Sequence, residues 1–353
     1  MKQVDLKSLL RANIRELIPY SSARDEYKGS DAIFLDANEN PFDTGYNRYP
    51  DPYQRALKAE ISKIKHVPAN QIFLGNGSDE AIDLLIRAFC EPHQDNIIAL
   101  DPSYGMYRVC ADTQGITTQK VRLNPDFSLN VENLLAAVNE HTKIIFLCSP
   151  NNPTGNLLDT QAVISVIEQF NGIVVVDEAY IDFCPEASQT KLLSRYNHLL
   201  VMQTFSKAWG LAGIRLGMAF ASAEIIGIIN KIKMPYNINA LTQQYALEAV
   251  KKVSEKDQYV AGILKEKALL AEALSAMPLI QQVYPSDANF ILIKLAQPNE
   301  VYTYLTQQKV IVRNRSNVTL CAGCLRITVG TAEENRLLLK ELAKFESSFI
   351  AID

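Results

Sequence analysis

The stretch His198-Leu-Leu-Val-Met-Gln-Thr-Phe-Ser-Lys207, continued by Ala208-Trp-Gly-Leu-Ala-Gly-Ile-Arg-Leu-Gly217, decides how this chain is read. Its first seven residues are short, apolar and end in polar side chains, the pattern of a buried strand. Lys207 then falls just past a strand end, among hydroxyls and before glycines at 210, 213 and 217. In open α/β sheets catalytic groups gather at that edge. Glycine lets backbone approach closely. A lysine enclosed by such a loop loses hydration, which lowers its ammonium pKa toward a usable amine. An amine held there can form a Schiff base with a carbonyl cofactor. The plain alternative is a solvated surface lysine; Thr204, Ser206, the glycines and Arg215 argue against it.

The same arrangement recurs upstream. Asn96-Ile-Ile-Ala-Leu100 ends in Asp101-Pro-Ser-Tyr-Gly-Met-Tyr107, Lys143-Ile-Ile-Phe-Leu-Cys148 runs into Ser149-Pro-Asn-Asn-Pro-Thr-Gly155, and Gly172-Ile-Val-Val-Val-Asp-Glu-Ala-Tyr180 carries an acid at its end. Near-continuous apolar strands alternating with amphipathic helices indicate an α/β fold with a mostly parallel sheet covered on both faces. Tyr104, Asn152, Asp177 and Lys207 each follow a strand, so one edge gathers all four. Each has a plainer reading: Tyr104 as a packed aromatic, Asn152 as a turn former, Asp177 as a helix cap, Arg215 as a surface ion-pair member. Their convergence favours a site.

At Gln71-Ile-Phe-Leu-Gly-Asn-Gly-Ser-Asp79 an extended piece meets a glycine turn, and Ile82, Leu85, Ile86 and Phe89 then fall on one helical face. Ser78 is a natural N-cap. A glycine turn at a helix start presents free amides and the positive end of the helix dipole, which suits a phosphate. Farther along, a long helical pattern from about Ala240 to Met277 is expected to bridge two domains. Ala288-Asn-Phe-Ile-Leu-Ile-Lys-Leu295, a helix, Val310-Ile-Val-Arg313, Leu325-Arg-Ile-Thr-Val329 and a final helix read as a smaller α+β unit.

A chain of 353 residues exceeds the usual reach of one core, so two domains are expected. The 48% apolar and 21% charged content is that of an ordinary globular protein. A formal charge of −4 offers no footprint for nucleic acid or anionic membrane. The N-terminus lacks the apolar core of a signal peptide, and no run approaches a membrane span, so a cytoplasmic protein is expected. Cys90, Cys110, Cys148 and Cys184 lie singly, as buried thiols in a reducing compartment do. Cys321-Ala-Gly-Cys324 is a lone pair read as a turn into a strand. Zinc needs about four ligands, the four histidines show no metal spacing, and no metal is expected.

The parts fit pyridoxal 5'-phosphate. Its aldehyde needs an amine, Lys207. Its pyridine nitrogen draws electrons only when protonated, which a buried carboxylate such as Asp177 favours. Its phenolic oxygen wants donors (Asn152, Tyr180) and its ring face an aromatic (Tyr104). Its phosphate wants amides, hydroxyls and a cation: Gly77, Ser78, Asp79, Thr204, Ser206 and Arg215 meet that need.

Ser149-Pro-Asn-Asn-Pro-Thr-Gly155, Asp177-Glu-Ala-Tyr180 and Ser206-Lys207 with Arg215 together resemble the fold-type I aminotransferases of the aspartate-aminotransferase superfamily, over essentially the whole chain. Ala37-Asn-Glu-Asn-Pro-Phe42, Arg48-Tyr-Pro50, Gly77-Ser-Asp-Glu80, Tyr104-Gly-Met-Tyr107 and Cys324-Leu-Arg-Ile-Thr-Val-Gly330 are similar to the branch whose amine substrate is a phosphorylated amino alcohol and whose acceptor is 2-oxoglutarate. The resemblance implies an N-terminal arm (1–30) packed on the small domain or a partner subunit, a large cofactor domain (31–240) and a small domain with its linking helix (241–353). It also implies a homodimer with shared sites, in which Tyr49 reaches the neighbour's cofactor phosphate. Lys207, Asp177 and Tyr180 would be catalytic, with Lys207 moving the α-proton. Tyr20, Asn152, Arg313 and Arg326 would bind substrate; the two guanidinium forks suit either carboxylate or phosphate.

Other readings are an aromatic amino-acid aminotransferase, a phospho-amino-acid decarboxylase of the same superfamily, or a non-catalytic effector-binding module. The last usually brings a DNA-binding domain, for which the first 30 residues are too short. A nucleotide-binding dehydrogenase would carry G-x-G-x-x-G after its first strand, and this chain does not.

Overall fold

The computed structural model describes residues 2–20 and 32–350, with side chains to residue 347. Seven strands form one sheet: β1 (Ile72–Asn76), β2 (Asn96–Asp101), β3 (Thr117–Arg122), β4 (Thr142–Cys148), β5 (Ile173–Asp177), β6 (Leu199–Thr204) and β7 (Leu216–Ala221), in the order β1-β7-β6-β5-β4-β2-β3. β2, β3, β4, β5 and β6 pair in parallel. Only β7 runs against its neighbours, antiparallel to both β1 and β6. This single reversal matters, because β7 begins at the edge where the others end.

Helices cover both faces, as buried parallel strands require. α3 (Arg55–Lys65), α6 (Val131–Ala136) and α7 (Thr160–Gln169) pack over one face with Leu74, Ile145, Val174 and Val201. α4 (Asp79–Phe89), α5 (Met106–Thr113) and α8 (Ala223–Ile232) pack over the other with Phe73, Phe146, Val175 and Met202. The stripe expected on α4 is fully enclosed: Ile82, Leu85, Ile86 and Phe89 are each 0% exposed. At about 1.5–3 kcal/mol for each such side chain, this face fixes the helix whose first turn points at the strand edge.

The N-terminal segment, expected against the small domain or a partner, packs on the large unit across its described part. α1 (Leu6–Leu9) and α2 (Ala12–Glu16) lie along α4 and α8: Leu6 joins their core, Arg11 pairs with Glu91 at 3.2 Å, and Lys231 Nζ donates to Ile14 O at 2.7 Å. Residues 21–30 of the expected arm, and residue 31 at the start of the expected cofactor domain, lie outside the described residues.

The long linking helix is two helices, α9 (Ala240–Val250) and α10 (Val253–Ser275). Ala246 and Val250 sit in the large core, whereas Leu270 and Leu274 sit in the small one. By packing, then, α9 goes with the large unit, Val253 at the start of α10 still rests on the large core, and the change to the small core comes within α10. The small unit is an antiparallel sheet of β8 (Ile280–Val283), β9 (Phe290–Leu295), β10 (Arg313–Asn314) and β11 (Cys324–Thr328), ordered β10-β11-β9-β8 and covered by α10, α11 (Pro298–Gln307) and α12 (Ala332–Ile350). The strand expected over Val310–Arg313 shrinks to two residues, because only Arg313 and Asn314 face a partner in β11. A cluster of Tyr180, Phe183, Ala208, Val260, Ala288 and Phe290 joins the two units. No described helix is long and apolar enough to cross a membrane.

Candidate active site

Strand register assembles the site. Cys148 at the end of β4 lies opposite Asp177 of β5, and Asp177 opposite Met202 of β6. Because β7 is antiparallel, Gly217 stands beside both Thr204 and Gly75, and Arg215 is delivered to the edge where β1 and β6 finish. Gly217 is needed there: a Cβ would lie 2.2 Å from Ser78 N. Gly77, at φ +72°, donates its N–H to Arg215 O at 2.8 Å, and a Cβ on it would lie 2.7 Å from Arg215 Nη2. The turn Gly77-Ser78-Asp79 and the Arg215 guanidinium are thus pressed together at the start of α4. Ser78 occupies the N-cap position, but its hydroxyl makes no capping bond. Thr204 Oγ1 accepts from Ser206 N at 3.1 Å and fixes the loop entering Lys207. Amides, hydroxyls and a guanidinium in one tight turn match a phosphate.

Asp177 forms the floor, 2% exposed. Burial pushes its carboxyl up to about 6, while hydrogen bonds from Tyr107 Oη (2.6 Å) and Ala179 N (3.1 Å) pull the other way. A buried carboxylate with two donors is a strong partner for a cation placed against it. Tyr104 donates to Asp79 Oδ1 at 3.1 Å and meets Tyr107 edge-on. Lys207 is open to the cavity; desolvation and then Arg326 lower its ammonium pKa, against Asp177, which raises it. Its Nζ lies 5.7 Å from the Tyr180 ring centroid. Tyr180 packs edge-on against Phe290 at 5.1 Å, and burial raises its phenol pKa, so it stays protonated and able to donate. Asn152 Oδ1 accepts from Arg326 Nη1, so only its Nδ2 can act as a side-chain donor.

Gly77, Ser78, Asp79, Tyr104, Asn152, Asp177, Tyr180, Thr204, Ser206, Lys207, Arg215, Arg313 and Arg326 all line one cavity of about 830 Å³. That volume is in the range of small-molecule sites. Tyr20 and Tyr49 lie elsewhere, in a wider groove of about 990 Å³ that contains neither Lys207 nor Asp177; Tyr49 stacks there on Tyr236 at 4.5 Å. Within one chain they do not reach the cavity.

Two residues escaped the sequence reading. Tyr107 is fully enclosed, stacked on Phe146 at 4.6 Å, and bonded to Asp177. Its place at the start of an amphipathic helix just after the Asp101–Tyr104 strand end was the available signal. Arg315 lines the cavity too; its signal was the two-residue spacing from Arg313, the period of one strand face. The Cys321–Cys324 segment forms the expected turn, with Cys324 N donating to Cys321 O at 2.9 Å and Gly323 at φ +78°. Both thiols are free and buried. No metal-holding group of His, Cys, Asp or Glu occurs among the described residues.

Comparison with known proteins agrees with this geometry. A Bacteroides fragilis protein named histidinol-phosphate aminotransferase is 54% identical over 342 residues, 97% of this chain and 99% of its own length. One of the same name from Cytophaga hutchinsonii is 55% identical over 344 residues, 96% of this chain and 99% of its own. Among solved structures, the histidinol-phosphate aminotransferase from Clostridium acetobutylicum superposes with a TM-score of 0.80 at 25% identity, covering 86% of this chain and 92% of that one. The family described as aminotransferase class I and II matches residues 30–342, and the chain belongs to it.

Proposed function

We propose that the protein is a histidinol-phosphate aminotransferase, moving an amino group reversibly between L-histidinol phosphate and 2-oxoglutarate to give imidazole acetol phosphate and L-glutamate, a step of histidine biosynthesis. The observation that carries this reading is the likeness to curated relatives of that name across nearly the full length of both chains. It favours this substrate over the aromatic amino-acid and decarboxylase alternatives.

The cofactor is pyridoxal 5'-phosphate, which supplies a carbonyl for the incoming amine and a ring that withdraws electrons from the reacting carbon. The turn at Gly77, Ser78 and Asp79, with Thr204, Ser206 and Arg215, would hold the phosphate. Asp177 would keep the ring nitrogen protonated, Tyr104 would cover the ring face, and Asn152 and Tyr180 would donate to the phenolic oxygen. Lys207 Nζ, already biased toward its uncharged form, takes the proton from the substrate α-carbon and later returns it, acting as base and then acid. Arg313 and Arg326 hold the substrate's anionic groups.

The wider groove supports a homodimer. Tyr20, Tyr46 and Leu241 line it and are exposed, and Leu35, Phe42 and Met234 are exposed as well. A second copy seated there would cover this apolar surface and allow Tyr49 to reach the neighbour's cofactor phosphate and Tyr20 its substrate. A cytoplasmic location fits the absence of a membrane-crossing helix among the described residues.

A spectrum of the purified holoenzyme tests the reading. Histidinol phosphate should convert the aldehyde absorbance to that of the amine form, and 2-oxoglutarate should restore it. A protein that responds to aromatic amino acids but not to histidinol phosphate would contradict the proposed substrate.

A further inference from the structure

The small unit brings three guanidinium groups to one face of a hairpin. In the β10–β11 ladder Arg313 stands directly opposite Arg326, and Arg315 follows Arg313 by two residues, the spacing that returns a side chain to the same face. Arg315 N is pinned to Cys324 O at 2.9 Å, which extends the pairing past the last ladder residue. Like charges directly opposite each other destabilise a sheet. None of the three has a carboxylate partner among the described residues. Arg326 is bonded to Asn152, and Asp101, an acid that also lines the cavity, is held by Thr319 Oγ1 at 2.7 Å and lies 3.9 Å from Lys120.

Arg315 is the least accounted for. It is half-buried, its Nε is enclosed without a hydrogen-bond partner, and its side chain makes no bond to any described residue, yet it lines the cavity. Burying such a group without a partner costs free energy that a packed aliphatic residue would avoid. An anion supplied from outside would relieve both this cost and the repulsion among the three cations. A phosphate monoester fits best, since near neutral pH it carries nearly two charges and three acceptor oxygens. A carboxylate offers one charge and two oxygens.

We infer that Arg315 is a specificity-determining residue that, with Arg313, holds the phosphate monoester of the amine substrate and sets the preference for the phosphorylated amino alcohol over its unphosphorylated form. Arg326, tied to Asn152 at the ring site, would meet the same phosphate from the side of the reacting carbon. Arg315 lies about 7 Å from Arg313 along the extended chain, a step suited to gripping different oxygens of one phosphate. This inference rests on the substrate reading above, and the experiment separates the two.

Arg315→Gln holoenzyme is compared with wild type in the amine half-reaction, followed by cofactor absorbance, with histidinol phosphate and with histidinol. Binding of glycerol 3-phosphate, a phosphate monoester without an amine, is measured by calorimetry on the same samples. The expected result is a fall of about 10- to 100-fold in kcat/KM for histidinol phosphate, the scale of a lost charge-assisted hydrogen bond. It should reside mainly in KM, with histidinol changed less than about twofold and glycerol 3-phosphate weakened in parallel. Equal losses for both amines, or none for either, would overturn the inference. If wild type fails to use histidinol phosphate, the substrate reading falls. Arg315 is then judged by glycerol 3-phosphate alone: weaker binding in the variant supports its role, and unchanged binding overturns it. Where the glutamine variant does not accumulate, Arg315→Lys serves, with the same split at smaller size supporting the inference and equal effects overturning it.

Discussion

Tyr107 Oη donates to Asp177 Oδ2 at 2.6 Å, deep under the floor of the cavity. The bond sets both the charge and the aim of the acid proposed to face the cofactor ring. Tyr107 is itself immobilised by its stack on Phe146, so the carboxylate inherits the rigidity of the sheet. Tyr107→Phe keeps the stack and deletes the donor. Losing a hydrogen bond to a buried charged acceptor costs about 1.5–3 kcal/mol. Cofactor dissociation, measured by equilibrium dialysis, should therefore rise on the order of tenfold or more. An unchanged dissociation constant would show that Tyr107 only fills space.

The acid predicts a pH dependence of stability. Burial lifts the Asp177 carboxyl to about 6 from an ordinary value near 3.8. Between these values the folded protein keeps a proton that the unfolded chain has released, so stability falls as pH rises through this window. Below pH 4 the penalty is absent, and above 6 it is complete, on the order of 3 kcal/mol. Cofactor-free Asp177→Asn should melt higher than cofactor-free wild type above pH 6, and the gap should close toward pH 4. Glu178, pushed up to about 7 by its own burial, is common to both proteins and largely drops out of the difference. With cofactor bound the order should invert, because only the carboxylate can pair with a ring cation.

Gly217 tests the phosphate cradle without touching a polar side chain. An added Cβ would lie 2.3 Å from Gly77 C, so Gly217→Ala must push the Gly77-Ser78 turn off β7. The expected outcome is a folded protein that loses cofactor on dialysis far faster than wild type, read from its absorbance. Retention equal to wild type would mean that the turn does not hold the phosphate.

Phe290 tests the join between the units. It is 2% exposed, packs edge-on with Tyr180 at 5.1 Å, and has the Arg326 guanidinium 5.1 Å from its ring centroid. Phe290→Ala should cost about 3–5 kcal/mol in urea unfolding. Because Tyr180 and Arg326 lose their common support, KM for histidinol phosphate should rise as well. A stability loss with unchanged KM would uncouple the join from the site.

Much of this was legible in the sequence where one physical signal dominated. The apolar runs before Cys148, Asp177 and Thr204 became strands because nothing but a buried sheet accommodates them. β7 was not legible: Leu216-Gly-Met-Ala-Phe-Ala221 lacks the β-branched residues that mark a strand. Its antiparallel direction, which brings Arg215 to the site, depends on pairing that no local pattern encodes. β3 was hidden for the opposite reason, as an edge strand whose Thr, Gln and Lys side chains stay partly exposed. The placement of Tyr20 and Tyr49 away from Lys207 is a property of one chain, and their proposed role needs a second. Arg315 drew no reading from the sequence, because only the register of the hairpin puts it on the face of Arg326.

Borohydride reduction of the holoenzyme, followed by proteolysis and mass spectrometry, tests the central assignment most directly, because it fixes the cofactor to whichever amine holds it. The account predicts a single pyridoxyl-modified peptide, carrying the added mass on Lys207. Modification of a different lysine, or none at all in protein that shows the cofactor's absorbance, would contradict it.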